Sequence, residues 1–313
     1  MSTGGEERGG QLLEVQAGTL APRPSWAAAW LDLAKGRIAA MVVLSALMGA
    51  VLSAPEGLTW RTASAALLVG LVAASSAMFN HVLERDTDRL MNRTRHRPLV
   101  TGQVRVRDAL VVATILGSLG TLVLALEFNL LSALLALASL VAYALVYTPF
   151  KRVSTLNTIV GAVPGAMPPL IASAAVAGAP THWGLALFAL IFCWQFPHFM
   201  AIAWLHREDY ARAGMKMLPA MPDSQGVAGR QALLYALCSL PLSLLPTLSG
   251  DAGLFYAVAA LGCGLCYVGA AWRFSLREDR PRARALLLVS LVYLPFMYGA
   301  ILLDPIVRRS FHG

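Results

Sequence analysis

The sequence predicts an all-α protein, a polytopic membrane bundle of nine transmembrane helices, and three observations carry that prediction. Of the 313 residues, 57% are hydrophobic and only 13% are charged, about half the charged fraction of a soluble domain. Mean hydropathy is +0.63. That leaves too little polar surface to cover a water-facing globule of this size, so lipid is the solvent for much of it. Apolar runs of spanning length then recur along the chain, separated by basic connections.

Residues 1–25 carry Gly, Glu and Pro without a sustained apolar run, and read as a mobile cytosolic tail ahead of one membrane domain over 26–313. No apolar stretch follows a basic start, so the tail is not a secretory signal. The first apolar run comes after Lys35 and Arg37 and reads as an uncleaved helix. Nine segments are long enough to span: 37–55, 63–83, 108–126, 129–147, 157–178, 183–204, 231–248, 253–273 and 284–303. The prolines and glycines inside them are tolerated by membrane helices. Gly161 and Gly165 have the small-x-x-x-small spacing that lets two helices approach closely.

Charge fixes the expected orientation. Arg85, Arg89, Arg93, Arg95, Arg97, Arg105 and Arg107 follow the second segment, and Lys151 and Arg152 the fourth. Arg207, Arg212, Lys216 and Arg230 follow the sixth, and Arg273, Arg277, Arg280, Arg282 and Arg284 the eighth. The alternate connections are nearly free of Lys and Arg, with Arg61 the main exception. The positive-inside rule puts the basic set and the N-terminus in the cytosol and the C-terminus outside; Arg308 and Arg309 run weakly against it. The net charge of +8 is thus topology, anionic lipid and phosphate contact rather than nucleic-acid binding, since there is no basic helix or aromatic RNA platform. Cys193, Cys238, Cys263 and Cys266 all sit in apolar segments. The Cys263-x-x-Cys266 pair has no second ligand pair beside it, so it reads as helix packing.

Chemistry concentrates in two places. Asn80, Glu84 and Asp88 close the second segment at i, i+4 and i+8. Eight residues at about 100° each bring Asp88 back to within about 40° of Asn80, so three oxygen-bearing side chains line one face. Such a face suits Mg²⁺, which takes carboxylates plus substrate phosphates rather than a closed protein cage. Asp86 points elsewhere while the helix continues. Arg93 and Arg97 follow, and guanidiniums grip phosphate in bidentate fashion, so metal plus arginine fits a diphosphate. The competing reading is a solvated loop in which acids neutralise topology arginines.

The second place is the end of the sixth segment. Glu208 and Asp209 lie just past the same cytosolic end and offer a second acidic cluster, so that metal and diphosphate can lie between the two. His198 lies deeper in an aromatic run with Trp194 and Phe199. It is either hydrogen-bonded to a neighbouring carbonyl or in contact with an acceptor, including as an axial ligand to heme iron. Lys151, Arg152 and Arg207 are further phosphate contacts or plain anchors, and Asn157 opens the fifth segment beside them.

These residues resemble the UbiA superfamily of membrane prenyltransferases over roughly residues 35–305. The family's first signature is an Asn followed by acids, then a basic Arg-Thr-x-x-Arg-Pro-Leu run ending in Gly. It is met by Asn80, Glu84, Asp86, Asp88, Arg93, Thr94, Arg97, Pro98, Leu99 and Gly102. Three stretches resemble its heme-modifying branch: Tyr147-Thr148-Pro149 with Lys151, Arg152, Asn157 and the Gly161–Pro169 run; Trp194 to Phe199; and Arg207-Glu208-Asp209-Tyr210 with Gly214, Leu218 and Pro219. The chain departs from the commoner pattern with His81 after Asn80, Glu84 where Asp is usual, and His206 where Tyr is frequent.

The resemblance implies nine helices around a central cavity open near the cytosolic side. Asn80, Glu84, Asp88 and Asp209 would be catalytic, with Mg²⁺ held by Glu84, Asp88, Glu208 and Asp209. Arg93, Arg97, Lys151, Arg152 and Arg207 would bind the diphosphate of farnesyl diphosphate, and His198, Trp194 and Phe199 would meet heme b. The implied product is heme O for heme–copper oxidases, with heme A synthase or oxidase assembly proteins as downstream partners. Without a long Arg- and Ser-rich presequence the expected location is a bacterial inner membrane. The rival readings are the same fold acting on a quinone-type aromatic acceptor, a transporter using Glu84 and Asp88 as an ion path, and an assembly subunit without chemistry.

Overall fold

A computed structural model describes residues 25–312. The tail reading of residues 1–25 therefore lies outside the described residues but for Ser25, as do the side chains of Arg308 and Arg309. The helices are α1 (Trp26–Leu33), α2 (Gly36–Ser53), α3 (Trp60–Leu83), α4 (Arg85–Asp88), α5 (Val106–Val123), α6 (Leu130–Val141), α7 (Thr148–Phe150), α8 (Asn157–Ala177), α9 (His182–Leu205), α10 (Arg207–Arg212), α11 (Val227–Leu248), α12 (Leu254–Leu276) and α13 (Arg280–His312). Helix α5 runs on as a π-helical turn over Leu124–Phe128, and a second π-helical stretch, Ala142–Tyr147, joins α6 to α7. There is no strand among the described residues.

Nine of these continuous stretches are long and apolar enough to cross a membrane, and each overlies one predicted segment. Their ends follow local chemistry. The Thr59 and Thr62 side chains close a reciprocal capping box at the start of α3, and the side chains of Asn129 and Thr181 accept the free first-turn N–H groups of Ser132 in α6 and Gly184 in α9. Gly178 ends α8 at φ 82°, a left-handed position that glycine takes without steric cost.

The helices sort by burial. In α3 and α8, 61% and 67% of the apolar stretch is buried, against 22% for the span from Leu130 to Phe150, so α3 and α8 form the centre of the bundle. Small residues make that centre tight. A side chain on Gly49 of α2 would strike the Pro169 backbone of α8, one on Gly161 the Tyr147 ring, and one on Gly165 the Gln195 amide of α9. The expected close packing around Gly161 and Gly165 is therefore what the fold uses. Leu119, Leu126, Leu134, Leu254 and Leu288 point outward, the surface a bilayer covers.

Polar groups inside find partners on neighbouring helices, because no water is there to take them. Ser75 Oγ donates to Ala113 O at 2.7 Å, Trp194 Nε1 to Ser290 O at 2.9 Å, and Tyr298 OH to Ser45 Oγ at 2.9 Å. The four cysteines are free; Cys193 and Cys263 are half-buried, whereas Cys238 and Cys266 are exposed and do not pack between helices as expected. Short elements outside the nine segments went unpredicted, α10 and α1 among them; in α1, Ala29 and Leu33 are buried while Trp26 and Leu31 are exposed.

Candidate active site

A cavity of about 890 Å³ opens at the basic end of the bundle. Helix α3 brings Asn80 and His81 to its wall, and Glu84 and Asp88 follow. The α-helix breaks at Glu84, whose φ and ψ are −94° and 1°. The face survives because Glu84 N still donates to Asn80 O at 2.9 Å and Asp88 N to Glu84 O at 2.8 Å. Asn80, Glu84 and Asp88 therefore share one face, as the i, i+4, i+8 spacing requires. Asp86 turns away to solvent, where it lies 4.0 Å from Arg89.

Each buried acid has its own cation. Lys151 Nζ lies 2.7 Å from Glu84 Oε1, and Arg97 Nη1 lies 2.7 Å from Asp88 Oδ2. Burial pushes the Glu84 carboxyl up, but Lys151, Lys35 and Arg97 outweigh it and hold the group below its usual range. At Asp88 burial prevails over Arg97, and the carboxyl lies above its usual range. Burial likewise opposes the Lys151 charge, but Glu84, Tyr147 and Tyr143 overcome it and keep this ammonium protonated.

The π-helical stretch supplies the opposite wall. Its register sets Tyr143 and Tyr147 together, ring centroids 5.3 Å apart, and both line the cavity. Lys151 Nζ lies 4.5 Å from the Tyr147 ring centre, a favourable cation–π distance. Asn80 Nδ2 donates to Thr148 Oγ1 at 3.1 Å, which donates to Tyr143 O at 2.9 Å. π-Helical turns recur at functional sites because they re-aim side chains in this way. Lys151 is fixed from behind: its carbonyl accepts Lys216 N at 2.7 Å, and Asn157 Nδ2 donates to Lys216 O at 2.8 Å. Asn157 thus braces the loops without lining the cavity.

Lys35 is the residue the sequence reading missed. It sits between α1 and α2 at φ 49°, the one non-glycine with positive φ among the described residues. From there its Nζ donates to Asn80 Oδ1 at 2.7 Å and lies 3.4 Å from the Tyr143 hydroxyl. Burial, then Lys151, pushes its pKa down to about 7, with Glu84 pulling the other way. Backbone strain at such a position costs of order 1–3 kcal/mol and marks functional sites. Asn80, its amide oxygen accepting from the Lys35 ammonium and its amide nitrogen donating to Thr148, organises this part of the wall.

The second acidic cluster divides. Asp209 is buried, accepts Arg93 N at 3.1 Å and pairs with Arg212, so it ties the Arg93 loop to α10. Glu208, one residue and about 100° away, has an 81% exposed side chain near Arg207 and is not on the cavity wall. Of the predicted phosphate contacts, Arg93, Arg97 and Lys151 line the cavity; Arg152 and Arg207 do not, and Arg207 instead stacks 4.2 Å from the Trp204 ring. Phe199 lines the cavity. Trp194 and His198 face α13: His198 Nδ1 lies 2.8 Å from Ser290 Oγ, and the two rings stack at 5.0 Å.

A divalent cation fits the donor set. Asp88 Oδ1 is buried with no hydrogen-bond partner, and Glu84 opens on the same cavity. No cluster of three acidic, His or Cys ligands forms among the described residues. One or two carboxylates completed by substrate oxygens is the arrangement Mg²⁺ accepts.

Residues 42–294 match the UbiA prenyltransferase family. A protoheme IX farnesyltransferase of Solibacter usitatus is 40% identical over 286 residues, 88% of this chain and 98% of that protein. Among solved structures, that of a digeranylgeranylglyceryl phosphate synthase superposes with a TM-score of 0.74 at 16% identity, covering 89% of this chain and 98% of that one. A UbiA homologue from Archaeoglobus fulgidus bound to DMAPP and Mg²⁺ superposes with a TM-score of 0.63 at 19% identity, covering 87% and 98%.

Proposed function

Because the chain belongs to the UbiA prenyltransferase family, we propose that it transfers the farnesyl group of farnesyl diphosphate to a vinyl group of heme b, with addition of water, to give heme O. One observation carries the reading. Two buried carboxylates on one helix face, Glu84 and Asp88, stand among Lys35, Arg93, Arg97 and Lys151 at the mouth of an apolar bundle. That is a seat for a diphosphate whose hydrocarbon chain runs into the membrane. Relatives named for heme farnesylation, at about 40% identity over most of the chain, support heme as acceptor.

The cavity residues act by charge and position. Glu84 and Asp88 would hold Mg²⁺, as the Mg²⁺-bound homologue of the same fold supports; bound there, it supplies Lewis-acid stabilisation of the leaving diphosphate. Arg93, Arg97 and Lys151 add fixed positive charge, and Lys35 adds its own when protonated, where negative charge develops as the allylic C–O bond breaks. Asp209 holds the Arg93 loop against α10. Phe199, Ile202, Met215 and Met217 give the apolar wall that keeps water from the first allylic cation, which the heme vinyl π electrons attack. No protein nucleophile takes part. The cavity opens on the basic side of the bundle, which faces the cytosol of a bacterial inner membrane in this reading.

The test is a choice of acceptor. Purified protein in detergent is given farnesyl diphosphate and Mg²⁺ with either heme b or a hydroxybenzoate, and products are identified by mass spectrometry. Farnesylated heme alone is expected; a farnesylated aromatic acid without farnesylated heme would overturn the acceptor, and neither product, with intact protein, the prenyl transfer itself.

A further inference from the structure

His81 takes no part in the ion pairs of the site, yet it is 2% exposed and lines the cavity. Neither ring nitrogen has a hydrogen-bond partner. Buried polar groups are nearly always satisfied, so a ring at the cavity wall with both nitrogens unpaired calls for a partner that the cavity brings to it. Its depth indicates what. His81 precedes Glu84 by three residues and Asp88 by seven, spacings that return to the same helix face. At about 1.5 Å per residue it stands roughly 4.5 Å deeper in the bundle than Glu84. Glu84 and Asp88, paired with Lys151 and Arg97, mark the level of the diphosphate, and His81 marks the level below it, where the reacting carbons lie. Asn80 beside it is already engaged by Lys35 and Thr148.

The inference rests on the reaction proposed above. In that reaction the second cation forms on the vinyl carbon attached to the porphyrin. This carbon is only two carbon–carbon bonds from the prenyl carbon that loses diphosphate. Water must be held at that point and must give up a proton. We propose that His81 holds this water and takes its proton. The water oxygen forms a C–O bond to the cationic carbon, one O–H bond breaks with its electron pair staying on oxygen, and the proton moves to a free imidazole nitrogen. The imidazolium passes it to the released diphosphate one turn above, which carries it out. Water and the two substrates are the only reactants.

The test compares wild type with His81→Leu and the near-isosteric His81→Gln in detergent with heme b, farnesyl diphosphate and Mg²⁺. Without the base, the second cation is quenched by losing a proton from carbon, which gives a farnesylated heme lacking the elements of water. General-base assistance is commonly worth roughly 10²–10⁴-fold, so the ratio of dehydrated to hydrated product is expected to rise about tenfold or more in both variants. In His81→Gly, added imidazole should restore the hydrated product. A wild-type product ratio in whichever of the Leu and Gln variants folds would overturn the assignment, as would failure of imidazole to restore hydration in a His81→Gly protein that still binds farnesyl diphosphate. Absence of farnesylated heme from the wild type itself would instead overturn the underlying reaction, and this assignment with it.

Discussion

Two acidic clusters lie at the basic end of the bundle, and the fold uses them differently. Glu84 and Asp88 end a central helix, point into the cavity and are each met by a cation at 2.7 Å. Glu208 and Asp209 begin the short helix α10; there Asp209 turns inward to bind a backbone N–H of the first loop, and Glu208 turns to solvent. Identical functional groups at one end of the bundle thus become cavity lining, brace and plain surface charge. What separates them is helix phase and burial, which the count of acids does not reveal.

The contrast can be broken by substitution. The largest effect is expected at Asp88→Asn, which removes the buried carboxylate with an open oxygen. Loss of one such transition-state contact costs on the order of 10²–10³ in rate, read as kcat for farnesyl transfer with the thermal unfolding midpoint as control. Asp209→Asn keeps an acceptor for Arg93 N but loses the charge facing Arg212, so a smaller loss, about tenfold, is expected, mainly as a raised KM for farnesyl diphosphate.

Lys35 adds a charge that titrates beside Asn80. With its pKa lowered to about 7, it is protonated below that pH and largely neutral above it when the cavity is empty. A bound diphosphate favours the protonated form, so binding takes up a proton above pH 7 and affinity falls as pH rises. Calorimetric titration with inorganic diphosphate and Mg²⁺ between about pH 6 and 9 should show that decline in the wild type. A flat profile there, or an undiminished slope in Lys35→Met, would contradict it. The smallest effect belongs to Glu208→Gln. An exposed pair contributes about 0–1 kcal/mol, so its activity should stay within about twofold of wild type.

The sequence makes some of this plain and hides the rest for physical reasons. The nine spans are legible because backbone groups in lipid must be satisfied within each helix, which forces long apolar runs. The Asn80, Glu84 and Asp88 face is legible because a period of 3.6 survives even where the helix breaks at Glu84. Arg93, Arg97 and Lys151 follow from charge beside those acids. Lys35 is hidden because it reads as a topology charge, and only its left-handed backbone aims it at Asn80. Trp194 and His198 lie in the same aromatic run as Phe199, but a helix that is apolar all round gives no phase, so the sequence does not say that Phe199 alone of the three meets the cavity. Glu208 and Asp209 are told apart only by the way α10 restarts at Arg207.

The most direct test of the account runs wild type, Glu84→Gln and Glu208→Gln side by side with heme b and farnesyl diphosphate, with Mg²⁺ or with EDTA, and measures farnesylated heme by mass spectrometry. Wild type and Glu208→Gln are expected to give product that disappears with EDTA, and Glu84→Gln to lose at least about 100-fold with the fold retained. Normal product from Glu84→Gln, or product undiminished by EDTA, would contradict it.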